Sequence, residues 1–539
     1  MDIIIDPLYK WKLKNFSDTT VYYVGYEKSV DRLISFIRQT EDQVEEKRLN
    51  EILTYLPGNF AVIIDSPKKV YAIVDRIISY PIFYCEKNGQ ITISNSARKL
   101  QKEKELSEID NISLLEFRMA GYVTGRETIC KNLYQLQAGE TLLWNKSQKT
   151  LNFERYYLLY SENIREENEE LLIEEFNEIT NKIFKKLMAD LDGSPIWVPL
   201  SGGYDSRFIL CKLMDLGYDD LTAYTYGPTG NYEAKAAKYV ADKLKVKWHF
   251  LPSICKNARK VFNHPTRKSY WRYADFLKSV PAMHDFQTIF EAVRDKMIPE
   301  NATIIVGHTG DFISGGHIPQ FDTNQRNYFK SIFENVYSKH YTLWTNFNTD
   351  ENCEIIKEKF YDYLNIEDDS SVGLNGISSL YECWEWQERQ CKYVINGQRR
   401  YDYFNLGWRL PLWEPEYTDF WTKVPLDLKI NQRLYINYLE KYNLYNLFKG
   451  YKPYIWRWPG ITIGVPVIAK MIKTFSSKKY SDKFYQYLRF WGHYRNYYYP
   501  YGFRRFARNV SYIRNPVSLH VDQWLSENIS NDKIVSNYI

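Results

Sequence analysis

The sequence has no G-x-x-x-x-G-K-[ST] phosphate loop, no C-x-x-C pair and no apolar run long enough to span a membrane. Cysteine is scarce, with seven residues scattered at positions 85, 130, 211, 255, 353, 383 and 391. An odd, unpatterned set excludes a disulfide framework and a structural zinc site, and it fits a reducing compartment. The first residues, Met1 to Asp6, lack a charged n-region and a long apolar core, so no secretory signal is expected and a cytoplasmic protein is. The longest apolar tract, Ile461 to Ile472, is interrupted by Pro466 and Lys470. Charge of one sign is also lacking: 71 Lys and Arg against 66 Asp and Glu leave +5 on 539 residues. Nucleic-acid binding does not follow from so small an excess, and no nucleic-acid partner is expected. Hydrophobic and charged contents are ordinary for a globular chain, and the length implies two or three domains. Aromatics are abundant, with 47 Tyr and 15 Trp.

The most informative stretch is Pro199-Leu200-Ser201-Gly202-Gly203-Tyr204-Asp205-Ser206. The apolar run Ile196-Trp197-Val198 precedes it, and a helical pattern closed by Gly217 follows. Strand, glycine turn and helix are the reading. Paired glycines let backbone N–H groups converge on an anion, and the positive end of the helix adds to them. Asp205 would repel a bare phosphate, so an acid at that place asks for a magnesium ion bridging protein and phosphates. The expected ligand is Mg-ATP or the pyrophosphate cut from it.

Residues 1 to 160 read as strand-rich, with runs 21–24, 59–65 and 70–75 separated by turn residues such as Pro67 and Asn88-Gly89. Residues 32 to 53 read as largely helical, so sheets with helices outside them are expected. From about 165 to 450 the pattern alternates. An amphipathic helix over 166–187 leads into the glycine turn, a strand covers 221–226, a helix 232–244, and strands 246–250 and 303–307. Such alternation implies a parallel sheet with ligands beyond its C-terminal strand ends. Two further loops then face the crevice, 227–231 and 307–316, and the second brings Asp311. Two acids on one phosphate-binding turn make a magnesium site. The plain alternative for Asp311 is a turn-forming aspartate beside glycine. From 451 to 516 the chain carries 13 Lys or Arg against the single acid Asp482, with Tyr and Trp interleaved. The alternatives for this basic aromatic tail are a helical layer packed on the sheet domain and contact with a membrane surface.

These motifs resemble the asparagine synthetase family. Ser201-Gly202-Gly203-Tyr204-Asp205-Ser206 resembles the SGG-x-DS loop of N-type ATP pyrophosphatases, and 224–241, 307–316, 409–414 and 424–434 resemble later family segments in the same order. Leu56 to Ala61, Asp75 to Tyr84 and Leu136 to Glu140 are similar to segments of the family's glutaminase domain. The resemblance implies an α/β chain in three parts: an N-terminal-nucleophile-like αββα domain over 1–160, a parallel-sheet ATP-pyrophosphatase domain over 165–450, and an extension over 451–539. The glutaminase nucleophile has no counterpart, since residue 2 is Asp2 and the first cysteine is Cys85. Carried over, Ser201, Gly202, Gly203, Asp205 and Ser206 would hold pyrophosphate, and Asp205 and Asp311 would meet magnesium. Leu200, Tyr226, Val306 and Gly307 would border adenine, and Arg433, or alternatively Lys429, would face the phosphates. His308 stands where the family has glutamate; it is either a base or a hydrogen-bonded loop histidine. Arg389 or Arg400, in the helical stretch 381–400, would bind the substrate acid, unless these are surface charges. The function implied is ATP-dependent amide formation through an acyl-adenylate. Its acid belongs to a small molecule, glycan or peptide, and its acceptor is ammonia or an amine. The alternative is a non-catalytic scaffold on a decayed synthetase fold.

Overall fold

A computed structural model describes residues 1–40, 46–161, 164–253, 255–321, 328–364, 374–450, 467–468, 470–471, 474, 490–492 and 494–529. The chain begins with two stacked sheets. Strands β1 (Asp2–Ile4), β2 (Lys12–Asn15) and β3 (Thr20–Gly25) are followed by helices α1 (Glu27–Thr40) and α2 (Glu46–Thr54). Next come β4 (Phe60–Asp65), β5 (Lys69–Val74), β6 (Phe83–Lys87) and β7 (Gln90–Ser94), then helices α3 (Ala97–Glu103) and α4 (Asn111–Ala120). Strands β8 (Leu133–Gln135), β9 (Glu140–Asn145) and β10 (Thr150–Arg155) complete the set.

One sheet runs β1-β7-β6-β8 and the other β10-β9-β5-β4-β3-β2. Period-two alternation decides which side chains face where. Ala61, Ile63, Val70 and Ala72 from the larger sheet meet Ile82, Tyr84 and Ile93 around the smaller one in a core between the sheets. The opposite face of the larger sheet, Val62, Ile64 and Tyr71, packs under Leu33, Ile37 and Leu53 of α1 and α2. The outer face of the smaller sheet, Phe83 and Cys85, packs under Leu100 of α3 and Phe117 of α4. The layers are therefore helix, sheet, sheet, helix, as the αββα expectation has it. The helix expected over 32–53 is two helices, and residues 41–45 lie outside the described set. Asp2 sits in β1, where its carboxylate pairs with Lys104 at 2.9 Å. Cys85 is buried in β6, and burial pushes its thiol pKa up.

Helix α5 (Glu169–Leu191) then leads into a second, parallel sheet. In chain order follow β11 (Ile196–Pro199), α6 (Tyr204–Asp215), β12 (Leu221–Gly227), α7 (Tyr232–Leu244) and β13 (Lys247–Pro252). Helices α8 (Cys255–Phe262), α9 (Pro265–Ala274) and α10 (Phe286–Arg294) precede β14 (Thr303–Ile305). Helices α11 (Tyr328–His340), α12 (Asp350–Leu364), α13 (Leu374–Trp384) and α14 (Arg399–Tyr403) precede β15 (Gly407–Arg409). The strand order is β13-β12-β11-β14-β15, every pair parallel. The chain winds outward from β11 in both directions, so the switch point lies between β11 and β14. Ile196, Trp197 and Val198 read as one apolar run because β11, the central strand, is buried on both faces. Phe176, Ile183 and Phe184 of α5 and Phe208, Ile209 and Leu210 of α6 pack onto that sheet. Each such large side chain contributes about 1.5–3 kcal/mol through burial.

Helices α15 (Pro415–Trp421), α16 (Leu426–Lys429) and α17 (Arg433–Tyr442) close the parallel-sheet part. It meets the N-terminal layers through the Arg76–Asp419 ion pair at 2.7 Å and through Trp386 Nε1, which donates to the Arg76 carbonyl at 3.1 Å. Of the basic tail, most of 451–489 lies outside the described residues. The part that is described packs as an added layer: Tyr498, Phe506 and Trp524 are buried, and Trp524 meets Phe117 of α4 with ring centroids 4.7 Å apart. Among the described residues no helix is long and apolar enough to cross a membrane.

Candidate active site

A cavity of about 590 Å³ opens at the C-terminal ends of β11, β12 and β14, at the switch point. Its floor is the turn between β11 and α6. Gly203 caps α6 in extended conformation without a side-chain cap, so the free N–H groups of the helix start face the cavity. Arg207, buried in α6, donates to the Leu447 carbonyl at 2.5 Å and to the Gly202 and Gly203 carbonyls at 3.2 and 3.4 Å. This guanidinium pins the turn's carbonyls on the protein side, and the Gly203 N–H donates to the Ser201 Oγ at 3.2 Å. The Ser201 and Ser206 hydroxyls lie 3.1 Å apart, and the Ser206 Oγ also accepts from the Ser201 N–H at 3.1 Å. Glu233, from α7, accepts from the Gly202 N–H, so a carboxylate already fills the role of anion at that amide.

The second loop reaches the turn because its glycines let it. A Cβ on Gly307 would lie 3.0 Å from Asp205 Cβ and from Ser206 N, and one on Gly310 would lie 2.6 Å from Asp205 Oδ1. With that approach, the Asp311 N–H donates to Asp205 Oδ2 at 3.1 Å, and the Tyr435 hydroxyl donates to Asp205 Oδ1 at 3.1 Å. Burial, and after it the charge of Asp311, pushes the Asp205 pKa up to about 7. Burial acts in the same direction on Asp311, but the hydrogen bond and charge of His317 outweigh it and hold that carboxyl below its ordinary value. His317 Nε2 stands 3.2 Å from Asp311 Oδ2 and its Nδ1 2.5 Å from Glu385 Oε1. Burial opposes the imidazolium, yet these two carboxylates raise its pKa to about 9. Lys339 closes the chain at 2.8 Å from Glu385 Oε2.

Among the described residues no group of three or more His, Cys, Asp or Glu side chains could hold a metal by itself. The donor set is two hard carboxylates beside an amide-rich turn. It suits a magnesium ion that takes its remaining ligands from phosphate oxygens and water, rather than a resident protein-caged metal.

The cavity brings together Leu200, Ser201, Gly203, Asp205, Ser206, Tyr226, Val306, Gly307, His308 and Asp311. Gly202 sits on the turn behind them, with its N–H toward Glu233. Arg433 is not brought in: at the first turn of α17 it pairs with Glu169 at 2.8 Å, and its side chain is 53 % exposed. Gln432, its neighbour, lines the cavity instead. Lys429 is buried against Glu382 at 2.6 Å. Gln398 Nε2 lies 2.9 Å from His308 Nδ1. Burial and the charge of Arg400 push the His308 pKa down to about 3. The imidazole is therefore neutral and weakly basic.

Asp285, which sequence reasoning missed, and Arg400, which it offered as a candidate, complete the walls. Asp285, from the start of α10, and Arg400, from α14, form a buried ion pair of 2.8 Å. Arg400 also donates to the Gly397 carbonyl at 2.6 Å and to the Tyr401 hydroxyl at 3.2 Å. The surface-charge alternative for Arg400 thus fails, because the stretch 381–400 runs through the interior as α13, a π-type segment Glu385–Val394 and α14. Arg389 stacks on Tyr393 at 4.2 Å, away from the cavity lining. His317 and Tyr435 carried a signal, adjacency to Gly316 and to the 424–434 segment. Glu385 and Asp285 carried none.

No family model matches the chain. Over 288 residues it is 24 % identical to the microcin J25-processing protein McjC of Escherichia coli, a stretch that covers 50 % of this chain and 50 % of that protein. The chain therefore spans about half the length of the curated relative it matches. Among solved structures it is similar to the glutamine phosphoribosylpyrophosphate amidotransferase from B. subtilis complexed with ADP and GMP. That match has 8 % identity and a TM-score of 0.19 over 44 % of this chain and 72 % of the other. The allosteric regulatory enzyme of purine biosynthesis matches at 8 % identity and a TM-score of 0.20, over 45 % and 62 %. TM-scores this low carry no weight for fold or function.

Proposed function

We propose that this protein is an ATP-dependent, AMP-forming amide ligase of the asparagine synthetase type that does not hydrolyse glutamine. The observation that carries the reading is the meeting of Asp205 and Asp311 through the 3.1 Å hydrogen bond, on a glycine turn whose amides face a cavity at the sheet's switch point. A substrate carboxylate oxygen attacks the α-phosphorus of ATP, the bond to the bridging oxygen breaks, and pyrophosphate leaves with the electron pair. Ser201, Gly203 and Ser206 receive the pyrophosphate oxygens, and Glu233 yields the Gly202 amide to them. Leu200, Tyr226, Val306 and Gly307 border the adenine. Asp205 and Asp311 hold magnesium, which when bound supplies the positive charge that offsets the phosphate oxygens. Ammonia or an amine then attacks the acyl carbon, the C–N bond forms, the C–O bond to the phosphate breaks, and AMP departs with the electron pair and the proton lost from nitrogen. His308, neutral and lining the same cavity, orients the acyl group.

The acid is one carried by a small molecule, glycan or peptide. A relative named for processing microcin J25 supports an acid on a molecule undergoing modification. Cys85 and Cys130, the cysteines of the N-terminal layers, are both buried, which supports the absence of glutaminase chemistry. The protein acts in the cytoplasm, and contact with an anionic membrane surface would run through the basic aromatic tail of the 451–539 extension. The test is magnesium-dependent ATP binding by calorimetry, then pyrophosphate release with a panel of carboxylates and ammonia. Binding that vanishes in Asp205→Ala, and release with at least one acid, are expected. Absence of magnesium-dependent ATP binding sinks the ligase reading, and binding without release for any acid leaves the scaffold reading.

A further inference from the structure

Behind α14 lies a second pocket of about 240 Å³ that shares no lining residue with the nucleotide cavity. It sits where the N-terminal layers meet the parallel sheet. Tyr9, Trp11, Tyr80, Tyr273 and Phe276 line it, with Tyr9 packed on Tyr273 and Phe276 at ring-centroid distances of 4.8 and 5.7 Å. Helix α14 separates the two spaces and presents a different pair to each. Arg400 and Tyr401 line the nucleotide cavity, whereas Arg399 and Asp402, three apart and so on one helix face, line the second pocket.

The two neighbouring arginines are both buried, but they are satisfied to different degrees. Arg400 donates two hydrogen bonds, and its Nε, which makes no aligned hydrogen bond, stands in the ion pair with Asp285. Arg399 is 2 % exposed, yet its Nε and Nη2 find no acceptor among the described residues. Its one charged contact is Nη1 to Asp402 Oδ2 at 2.9 Å, and that oxygen makes no aligned hydrogen bond either. Asp402 spends its other oxygen on Trp408 Nε1, at 2.8 Å. The guanidinium plane rests on Tyr80, 4.6 Å from the ring centroid. A buried guanidinium with unmet donors costs stability, and a planar fork is the group best matched to a carboxylate. Lys10, on the pocket rim with its Nζ on Asn405 Oδ1 at 2.7 Å, leaves the pocket with one positive charge beyond the Arg399–Asp402 pair.

We infer that this pocket is a binding site for a small planar carboxylic acid, whose carboxylate meets the Arg399 guanidinium and whose flat apolar body lies among the aromatic rings. The site is separate from the one in which a carboxylate would be activated, and its occupancy does not depend on the ligase reading.

Calorimetry on the full chain tests it with benzoate as probe, benzamide as the uncharged control and acetate as the control without a ring. Benzoate is expected to bind saturably, and each control about tenfold or more weaker. Arg399→Gln is expected to weaken benzoate about ten- to a hundredfold. Because Arg399 is buried, the half-buried Trp11→Ala serves as the second variant and is expected to weaken benzoate while acetate stays unchanged. Saturating Mg-ATP should leave benzoate affinity within about twofold of its value alone, since the lining residues are distinct. Equal binding of benzoate and benzamide, no saturable heat, full affinity in both variants, or competitive displacement by Mg-ATP would each overturn the assignment.

Discussion

Replacing Gly310 by alanine tests the geometry on which the nucleotide site depends. The added methyl would stand 2.6 Å from Asp205 Oδ1, 2.7 Å from Asp205 Cγ and 2.8 Å from Leu412 Cδ1. Leu412 is buried in the core beneath, so the carboxylate must give way. Moving it breaks the hydrogen bonds from the Asp311 N–H and the Tyr435 hydroxyl, both 3.1 Å. A hydrogen bond to a charged group is worth about 1.5–3 kcal/mol, and overpacking costs about 1–3 kcal/mol in the fold. Loss of one such bond's worth of positioning lowers magnesium-dependent ATP affinity about ten- to a hundredfold. The assay is calorimetric titration of ATP with and without magnesium, alongside thermal melting to show that the variant is folded. A folded Gly310→Ala protein that binds Mg-ATP within about twofold of the parent would refute the claim that Asp205 is fixed by this contact and needed there.

Two further outcomes follow from the same structure. Tyr435→Phe keeps the buried ring but removes the donor to Asp205 Oδ1, so Mg-ATP affinity is expected to fall about tenfold with an unchanged melting temperature; calorimetry on both proteins decides it. His340 is buried, and burial, only partly offset by Glu385, depresses its pKa to about 4. Its contribution to stability is whole above about pH 6.5 and is lost as the pH falls toward 4, because there the unfolded chain takes up a proton that the folded one refuses. The loss reaches about 3 kcal/mol, and His340→Phe should flatten the melting temperature between pH 6.5 and 4.5; an equally steep fall in the variant would contradict it.

The legible parts of the molecule were those whose physics is local. Ser201 to Ser206 follows an apolar strand and opens a helix, and that spacing alone puts amides and an acid at one sheet edge. The helix 232–244 was readable to its ends because Asn231 caps it and Lys245 turns the chain in the left-handed region beyond it. Asp311 was readable from its glycines. The interior wall was not. Arg400 looked like a surface charge because the 381–400 stretch mixes charge and aromatics without a clean apolar stripe. The structure shows why: this segment is largely buried, and several of its charges are met by partners far along the chain, Arg400 by Asp285 and Glu385 by Lys339 at 2.8 Å. No local pattern encodes such partners. The His317–Glu385 link, 68 residues apart, is of the same kind.

Arg433 poses the sharpest question, because resemblance sends a cation to the phosphates and the structure sends this one away. Successive residues of a helix turn by about 100°, so Arg433 and Tyr435 on α17 point about 200° apart. Tyr435 is committed to Asp205, and Arg433 must therefore face outward, where Glu169 meets it. An exposed pair of this type is worth about 0–1 kcal/mol. Among the described residues the cavity is walled by four acids, Asp205, Glu233, Asp285 and Asp311, against Arg400, which Asp285 already neutralises. Phosphate charge would then be balanced by magnesium, the turn amides and the His317 imidazolium behind Asp311, and not by a side chain at position 433. Arg433→Ala is accordingly expected to change Mg-ATP affinity and pyrophosphate release by no more than about fivefold. If release instead falls a hundredfold or more while the melting temperature holds, α17 must rotate when the nucleotide arrives, the Tyr435–Asp205 bond must break in doing so, and Tyr435→Phe would then be harmless.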